Sequence, residues 1–303
     1  MNPEISAVIC TYNRAKYLKK ALNSVLEQNL AADKYEIIVV DNNSTDNTKA
    51  VVDECSLASG RGITCISEPM QGLSFARNAA TQAAKSPIVA FIDDDAQADS
   101  NWLAAHLEAY SMFPDAVSAG GKMLLSWESE KPAWLSDTEF ERTLGFFDYG
   151  DVITDMHHPD YPRGSNFSFK KDIFNAVGGF NTSLGRKGPG FFLYGEELEF
   201  GSRISKLHLR QIYTPRAVIY HTVIPNHLNK RYLIKRYYGQ GKGSIIAGMP
   251  GQNGATAVCR HLASNIFRLC LAIIRRNNTF IWQCRICYHG GQLIQILRSS
   301  ANK

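Results

Sequence analysis

The sequence predicts an α/β protein whose sheet begins with parallel strands joined by helices. Short apolar runs typical of buried strands recur from the amino terminus, and segments with helical spacing separate them by short links. The order β-α-β-α-β-α-β over residues 5–92 therefore indicates one sheet with right-handed crossovers and helices on its faces.

The first part of the chain supplies the strands and helices of this sheet. Strands are expected at residues 5–10, 35–40, 62–66 and 88–92, and helices at 15–28, 46–58 and 72–85. Polar residues follow three of the strands: Thr11 and Asn13, then Asp41, then Asp93–Asp95. Since ligands of such sheets bind beyond the carboxyl ends of the strands, we expect a polar crevice at this edge.

The stretch from Ile88 to Asp95 indicates the chemistry of that crevice. Five apolar residues run directly into three carboxylates, which repel one another and lose hydration when they are buried. A cation such as Mg²⁺ or Mn²⁺ would neutralise them and would also bind phosphate oxygens. The alternative is a solvated turn or a helix cap after the strand.

Beyond residue 96 the pattern is less regular. We expect a helix at 102–113, a strand at 117–125, loops over 126–162 and a strand at 163–169. A glycine-rich basic loop at 185–190 precedes a helix at 194–207 and a last strand at 217–221, which ends in His221. Two further helices are predicted at 256–274 and 279–298.

Charge divides the chain into two parts. Residues 200–303 contain 16 Lys and Arg and no Asp or Glu, whereas residues 1–199 contain 17 Lys and Arg against 28 acids. No apolar run reaches the roughly 18 residues that cross a bilayer. We expect a basic amphipathic extension that lies on an anionic membrane surface; a helical pair packed on the main domain is the alternative.

Other features of the sequence narrow the class of protein. Neither a dinucleotide-binding G-x-G-x-x-G after the first strand nor a P-loop motif is present. Seven cysteines, an odd number, favour a reducing compartment with free thiols. We interpret Cys284 and Cys287 as residues on a helix rather than as metal ligands. The amino terminus enters a strand at once, which leaves no room for a signal peptide.

Taken together, the motifs resemble those of family 2 glycosyltransferases of the GT-A fold. The resemblance covers about residues 4–225 and is carried by six stretches: Val8–Arg14, Val39–Asp46, Leu73–Asn78, Phe91–Asp95, Gly178–Asn181 and Tyr194–Glu199. It implies a GT-A domain at 1–225, with a nucleotide-sugar half at about 1–125 and an acceptor half at about 126–225, followed by the basic extension at 226–303.

The resemblance also implies an activity and a set of site residues. The family transfers a sugar from a nucleoside diphosphate sugar with inversion, using Mg²⁺ or Mn²⁺, and a UDP-sugar is favoured. The residues that correspond to donor-binding positions are Thr11, Asn13, Arg14, Asp41, Arg77, Asp93 and Asp94, and those that correspond to metal ligands are Asp95 and His221. For His221 an ordinary surface position at the strand end is the alternative.

The catalytic base departs from the family pattern. The family usually has Glu-Asp where this chain has Glu196-Glu197, so the role of the base falls on Glu197, with Glu196 as the alternative. A Glu is one methylene longer than an Asp, and geometry decides proton abstraction before pKa does. Both acids would also favour the dipole of a helix that begins there.

The expected partners follow from the same resemblance. They are a nucleotide-sugar donor, a glycan or glycolipid acceptor near Arg163 and Asn166, and an anionic membrane surface. No nucleic acid partner is expected. The expected location is the cytoplasmic face of the membrane. The 185–190 loop is expected to close over the donor. Competing hypotheses are a nucleotidyltransferase of similar fold and a non-catalytic nucleotide-sugar-binding module.

Overall fold

The structure is a computed structural model, which describes residues 2–135, 138–157, 160–188, 193–248, 254–275 and 277–301. The described strands are β1 Ile5–Thr11, β2 Tyr35–Asp41, β3 Ile63–Ser67, β4 Ile88–Asp93, β5 Ala96–Ala98, β6 Ala116–Trp127, β7 Thr154–Asp155, β8 Asn166–Lys170 and β9 Arg210–Val223. The described α-helices are α1 Ala15–Leu26, α2 Thr48–Ser59, α3 Leu73–Ala83, α4 Trp102–Met112, α5 Thr138–Leu144, α6 Lys171–Val177, α7 Glu196–Lys206, α8 Lys230–Ile246, α9 Ala255–Ile274 and α10 Phe280–Ala301.

The strands form one mixed sheet in the order β3-β2-β1-β4-β8-β6-β9-β5, with β7 paired to β9. The four strands from the first part of the chain are mutually parallel, as predicted. The direction changes at β8, which runs antiparallel to both β4 and β6. The sheet is therefore the mixed, Rossmann-like sheet expected of the predicted fold.

The parallel strands β1, β2 and β4 are buried on both faces, with alternate residues packed on opposite sides, whereas the edge strand β3 is largely exposed. In β1, Ile5, Ala7 and Ile9 belong to the hydrophobic cluster on one face. Val8 belongs to the cluster on the other face. This alternation follows from the two-residue period of a strand, and it explains why the strands appear in the sequence as continuous apolar runs.

The carboxyl-terminal helices share a core with the preceding part of the chain. Leu135, Phe140 and Val223 form one hydrophobic cluster with Leu233 of α8 and Phe280 of α10. Residues on both sides of the predicted boundary at 225/226 are therefore packed together. This supports the alternative in which the helices pack on the main domain.

Two glycines let α8 approach its neighbours closely. A Cβ on Gly241 would lie 1.9 Å from the backbone oxygen of Tyr288 in α10. A Cβ on Gly243 would lie 2.0 Å from the backbone oxygen of Tyr194, just before α7. The Gly239–Gly243 segment thus fixes α8 against both α10 and the loop that leads to Glu196 and Glu197.

The structure corrects three expectations about the fold. Helix α5 lies within the stretch 126–162 that was predicted to be loops. Strand β9 has 14 residues instead of the predicted five at 217–221, because it pairs along nearly its whole length with β6. Strand β5, only 3 residues long, was not predicted.

The expectation that no segment is long enough to span a bilayer is also corrected. Among the described residues one helix, α9, is long and apolar enough by length and composition, with a hydropathy of 1.4 over its most apolar window. Only 17% of that window is buried in the protein. Such a helix by itself is weak evidence for a membrane span.

Candidate active site

The polar ends of three strands meet at one edge of the sheet. Thr11 pairs with Asp41 in the register of β1 and β2, and Cys10 pairs with Asp93 in that of β1 and β4. The chain then continues through Asp94 and Asp95 into β5. The predicted crevice lies here, as a cavity of about 740 Å³.

The buried carboxylate of Asp94 is held by two groups from the first β-α link. Thr11 Oγ1 donates a hydrogen bond of 2.7 Å to its Oδ2, and Arg14 Nη1 lies 3.3 Å from its Oδ1. Burial raises the pKa of Asp94 to about 6, and Arg14 opposes this rise. Thr11 and Arg14 thus order the carboxylate.

Asp95 is more strongly stabilised in its charged form. Burial disfavours that form, but the pKa of Asp95 is nevertheless lowered, because the charges of Arg14 and His221 outweigh the burial. Arg14 forms an ion pair with Asp95, and His221 Nε2 lies 3.4 Å from Asp95 Oδ1. Asp95 is therefore an anionic group in the wall of the cavity.

The short strand β5 brings His221 beside the acids. Ala96 pairs antiparallel with His221, and Thr222 N donates a hydrogen bond of 2.8 Å to the backbone oxygen of Asp95. On the other side β8 continues the register of β4, so that Ser165 Oγ hydrogen-bonds to Asp93. Strands distant in sequence therefore complete the site.

Asp93, Asp95 and His221 together fit a divalent cation. One ligand atom from each lies within 4.8 Å of the others. The Nδ1 atom of His221 is buried and makes no hydrogen bond within the described part of the chain. Two carboxylates and an imidazole form a donor set suited to Mn²⁺ or Mg²⁺, with Mn²⁺ the better match for the nitrogen ligand.

Asn13 and Asp41 shape the loops around the cavity. Asn13, at a positive φ of 51°, accepts a hydrogen bond of 2.7 Å from Thr45 N. Asp41 Oδ1 accepts one of 2.9 Å from Ser44 N. Asn13 lines the cavity, whereas Asp41 is not among the lining residues, although its strand partner Thr11 and its chain neighbour Asn42 are.

Arg77 is more deeply buried than the resemblance suggested. Its Nη1 donates a hydrogen bond of 2.8 Å to Glu196, and its Nη2 donates one of 3.0 Å to the backbone oxygen of Gly164. The guanidinium carbon lies 5.4 Å from the centre of the Phe167 ring. Arg77 lines the cavity and joins α3, the segment before β8 and α7 in its wall.

The two adjacent glutamates have different surroundings. Gly195, at a φ of 104°, turns the chain into α7, so that both acids lie in the first turn of that helix. Glu196 is buried and paired with Arg77. Glu197 also lines the cavity, and in the described part of the chain it is the lining carboxylate without a hydrogen bond or an ion pair.

The structure places only one of the two predicted acceptor residues at the cavity. Arg163 lines the cavity and pairs with Asp160 at 3.2 Å. Asn166 is fully buried, and its amide nitrogen donates to the backbone oxygens of Lys122 and Ala217 while its oxygen accepts from Trp102 Nε1 at 2.8 Å. With its hydrogen-bonding groups used inside the protein, Asn166 is not exposed to an acceptor, and we infer a structural role for it.

The described part of the 185–190 loop lies over the start of α3. Leu73 N donates a hydrogen bond of 3.0 Å to the backbone oxygen of Arg186, and Ser74 Oγ donates one of 2.9 Å to that of Leu184. Arg186 and Gly188 line the cavity. Residues 189 and 190 of the predicted loop lie outside the described residues.

Sequence reasoning missed several residues of the site. Asn42, directly after β2, accepts a hydrogen bond of 2.7 Å from Gly72 N and so fixes the start of α3. His227 and Arg236, from the carboxyl-terminal extension, also line the cavity. The absence of acids after Glu199 was the available signal for Arg236, but it was read as a membrane-binding feature.

This fold and this site define a glycosyltransferase of the GT-A fold. The chain belongs to glycosyl transferase family 2, because the sequence model of that family matches residues 6–178. The family resemblance stated from the motifs alone is therefore confirmed.

Two relatives come from Haloferax volcanii. The chain is 29% identical over 243 residues to the glucosyl-dolichyl phosphate glucuronosyltransferase, a match that covers 78% of this chain and 75% of the relative. It is 24% identical over 318 residues to the glycosyltransferase AglE, over 98% of this chain and 97% of AglE.

A solved structure supports the fold over nearly the whole chain. The mannosyltransferase PcManGT from Pyrobaculum calidifontis, in complex with GDP-Man and Mn²⁺, aligns with a TM-score of 0.67 and 17% identity. The alignment covers 99% of this chain and 88% of that one, so the likeness of fold includes the carboxyl-terminal helices.

Proposed function

We propose that this enzyme transfers a sugar from a nucleoside diphosphate sugar to a hydroxyl of a lipid-linked or growing glycan, with inversion at the anomeric carbon. One observation carries the proposal: the cavity contains both the Asp93–Asp95–His221 cluster and the unpaired carboxylate of Glu197. A cation site would bind the leaving diphosphate, and a free carboxylate would accept the proton of the acceptor.

The donor is proposed to bind along the carboxyl ends of β1, β2 and β4. Thr11, Asn13, Arg14 and Asp94 lie there, and Asp41 pairs with Thr11 in the strand register. The PcManGT complex contains GDP-Man, whereas the resemblance favours UDP. The donor base is therefore tested with both nucleotides.

Asp93, Asp95 and His221 would hold the Mg²⁺ or Mn²⁺ ion. When bound, this ion stabilises the negative charge that develops on the leaving diphosphate. Arg14 supplies a fixed positive charge next to the same carboxylates. Arg77 is proposed to act indirectly, by holding Glu196 and the Gly164 backbone in place.

Glu197 is proposed as the general base. It takes the proton from the acceptor hydroxyl while that oxygen attacks the anomeric carbon on the face opposite the diphosphate, and one attack of this kind inverts the configuration. Glu196 is the weaker candidate, because it is buried and already paired with Arg77. Arg163 is proposed to contact the acceptor.

We also propose that the enzyme binds an anionic membrane at the cytoplasmic face through α9. This helix exposes the large apolar residues Ile266, Phe267, Ile273 and Ile274. The surrounding segment 200–303 has no acids, so nothing in it repels anionic lipid. The relative named for glucosyl-dolichyl phosphate supports a lipid-linked acceptor for this chain.

A panel of UDP- and GDP-sugars with Mn²⁺ or Mg²⁺ tests the reaction class. We expect release of the matching nucleoside diphosphate from one donor, abolished by EDTA, and a product whose anomeric configuration, measured by NMR, is opposite to that of the donor. Release of a sugar 1-phosphate, the leaving group when the α-phosphorus of the donor is attacked, would instead identify a nucleotidyltransferase. Retention of configuration would refute the single displacement.

A further inference from the structure

The cavity does not end at the edge of the sheet. Its far wall is formed by the carboxyl-terminal extension, through His227, Arg236 and Gln240 and through Arg285 and Tyr288 of α10. The metal-binding cluster and the acid-free segment therefore face the same space. This placement gives the extension a role in ligand binding besides its proposed contact with a membrane.

Arg236 stands out in this wall because it lacks an acidic partner. Its Nη1 donates a hydrogen bond of 3.1 Å to the hydroxyl of Tyr232, and its guanidinium carbon lies 4.9 Å from the centre of the Tyr194 ring. Its Nε is buried and makes no hydrogen bond within the described residues. No ion pair between Arg236 and a carboxylate is found in that part of the chain.

Two of the other arginines that line the cavity have acidic partners. Arg14 pairs with Asp94 and Asp95, and Arg77 pairs with Glu196. Arg236 is half-buried, and the charge of Asp95 reaches it without forming an ion pair. A partly desolvated cation without an ion-pair partner is costly, and an unsatisfied guanidinium N–H adds to that cost. An anion in the cavity would supply an opposite charge and would accept a hydrogen bond from the free N–H of Arg236.

The surroundings of Arg236 place it near the metal-binding cluster. Burial and the charge of Arg236 lower the pKa of His227 to about 3, while the charge of Asp95 opposes this change. The same imidazole thus lies within the electrostatic reach of both Arg236 and Asp95. His227 is also stacked on Tyr232, the hydrogen-bond partner of Arg236, with ring centres 4.5 Å apart.

We propose that Arg236 forms a phosphate-binding subsite on the far wall of the cavity. This inference rests on the proposed function and deepens it. A planar guanidinium with free N–H groups matches phosphate oxygens, and aromatic rings around it fix its orientation. The phosphate has two possible sources, the diphosphate of the donor and the phosphate of a lipid-linked acceptor, and the experiment separates them.

The test measures binding to the whole chain by calorimetry with four phosphate probes, which are Mg²⁺-pyrophosphate, UDP, GDP and farnesyl phosphate. Farnesol serves as the control without phosphate. The variants are Arg236→Gln, Arg236→Lys and Arg231→Gln, the last a matched loss of an exposed charge on the same helix. We expect Arg236→Gln to weaken binding of at least one phosphate probe by about tenfold or more. Arg231→Gln should change it by less than about twofold.

The pattern across the probes identifies the source. Weaker binding of pyrophosphate and of UDP or GDP, with farnesyl phosphate unchanged, assigns the subsite to the donor. Weaker binding of farnesyl phosphate alone, with farnesol unchanged, assigns it to the acceptor. Partial retention in Arg236→Lys, which keeps the charge, supports the subsite even if Arg236→Gln does not fold.

The proposal is overturned if the folded variants at position 236 bind all four probes as the wild type does, or if the wild type binds none of them. Failure of the proposed function is a separate result. If replacement of Arg236 abolishes pyrophosphate binding, the subsite is supported. If the wild type nevertheless releases no nucleoside diphosphate from any donor, glycosyl transfer from the donors tested is refuted.

Discussion

Arg77 Nη1 lies 2.8 Å from Glu196 Oε1, and this ion pair is buried, with only 3% and 6% of the two side chains exposed. The pair assigns different roles to the two adjacent glutamates. Glu196 is held by Arg77 in the wall of the cavity, whereas the carboxylate of Glu197 in the same wall is left for a ligand. The position that the family usually gives to an Asp base is thus occupied by an available Glu.

The pair makes the stability of the protein depend on pH. Burial and then the charge of Glu197 raise the pKa of Glu196 from 4.5 to about 7, and Arg77 opposes this rise. A raised pKa means that the stabilising contribution is complete below pH 4.5 and is lost as the pH rises through about 7. The free energy of unfolding should therefore fall over this window in the wild type relative to Glu196→Gln, by at most about 3 kcal/mol. Denaturant unfolding of both proteins at a series of pH values measures this difference. If the free energy of unfolding changed with pH in the same way in the wild type and in Glu196→Gln, the prediction would be contradicted.

The metal-binding cluster predicts a specific loss of cation affinity. Asp95→Asn should weaken Mn²⁺ binding by about tenfold or more, because even changes in residues that support a ligand typically cost that much. Asp148→Asn is the control, since Asp148 also lines the cavity but pairs with Lys122 at 3.2 Å. Titration of Mn²⁺ followed by electron paramagnetic resonance makes the measurement. Equal affinities in the two variants would exclude Asp95 as a ligand.

The close approach of α8 to α10 predicts a difference between two glycines. Gly241→Ala should destabilise the protein by about 1–3 kcal/mol, because its Cβ would lie 1.9 Å from the backbone oxygen of Tyr288. Gly290→Ala in α10 meets no atom within 4 Å and should stabilise the helix by up to about 1 kcal/mol. Thermal unfolding distinguishes the two, and a neutral Gly241→Ala would contradict the described packing of these helices.

Membrane binding through α9 predicts sensitivity to an exposed aromatic residue. Phe267, which is 64% exposed on α9, should contribute apolar contact with lipid, so Phe267→Glu should reduce cosedimentation with anionic vesicles at low salt by about tenfold. Leu57→Glu is the matched control, because Leu57 is 86% exposed but lies on α2. If the wild type does not sediment with these vesicles, or if both variants behave alike, α9 is not the binding surface.

The parallel half of the fold was predictable because its signals are local. Buried parallel strands such as β1 and β4 appear as continuous apolar runs, and the register of parallel neighbours then brings Thr11, Asp41 and Asp93 to one edge. Strand β5 was missed because three residues carry no periodicity. Its existence depends on pairing with β9, which is more than 100 residues away in sequence.

The site was predictable in its residue types but not in their contacts. Asp95 and His221, which were expected as metal ligands, lie together, and Asp93, which was expected to bind the donor, joins them in one cluster of candidate ligands. The burial of Asn166 could not be predicted, because an asparagine at the start of a strand looks alike in the sequence whether it faces a ligand or accepts a hydrogen bond from a buried Trp102. Arg236 was missed because its significance comes from the lack of an acidic partner among the described residues, which only the packing of α8 reveals.

The central claim is tested most directly by comparing turnover with donor binding in Glu197→Gln. We expect the rate of transfer to fall by about 10²–10⁴-fold while the affinity for the donor is unchanged, since the carboxylate acts on the acceptor proton. Glu199→Gln is the matched control in the same turn of α7, where Glu199 pairs with Arg203 at 2.8 Å, and it should retain nearly full turnover. Wild-type turnover in Glu197→Gln would contradict the assignment of Glu197 as the base.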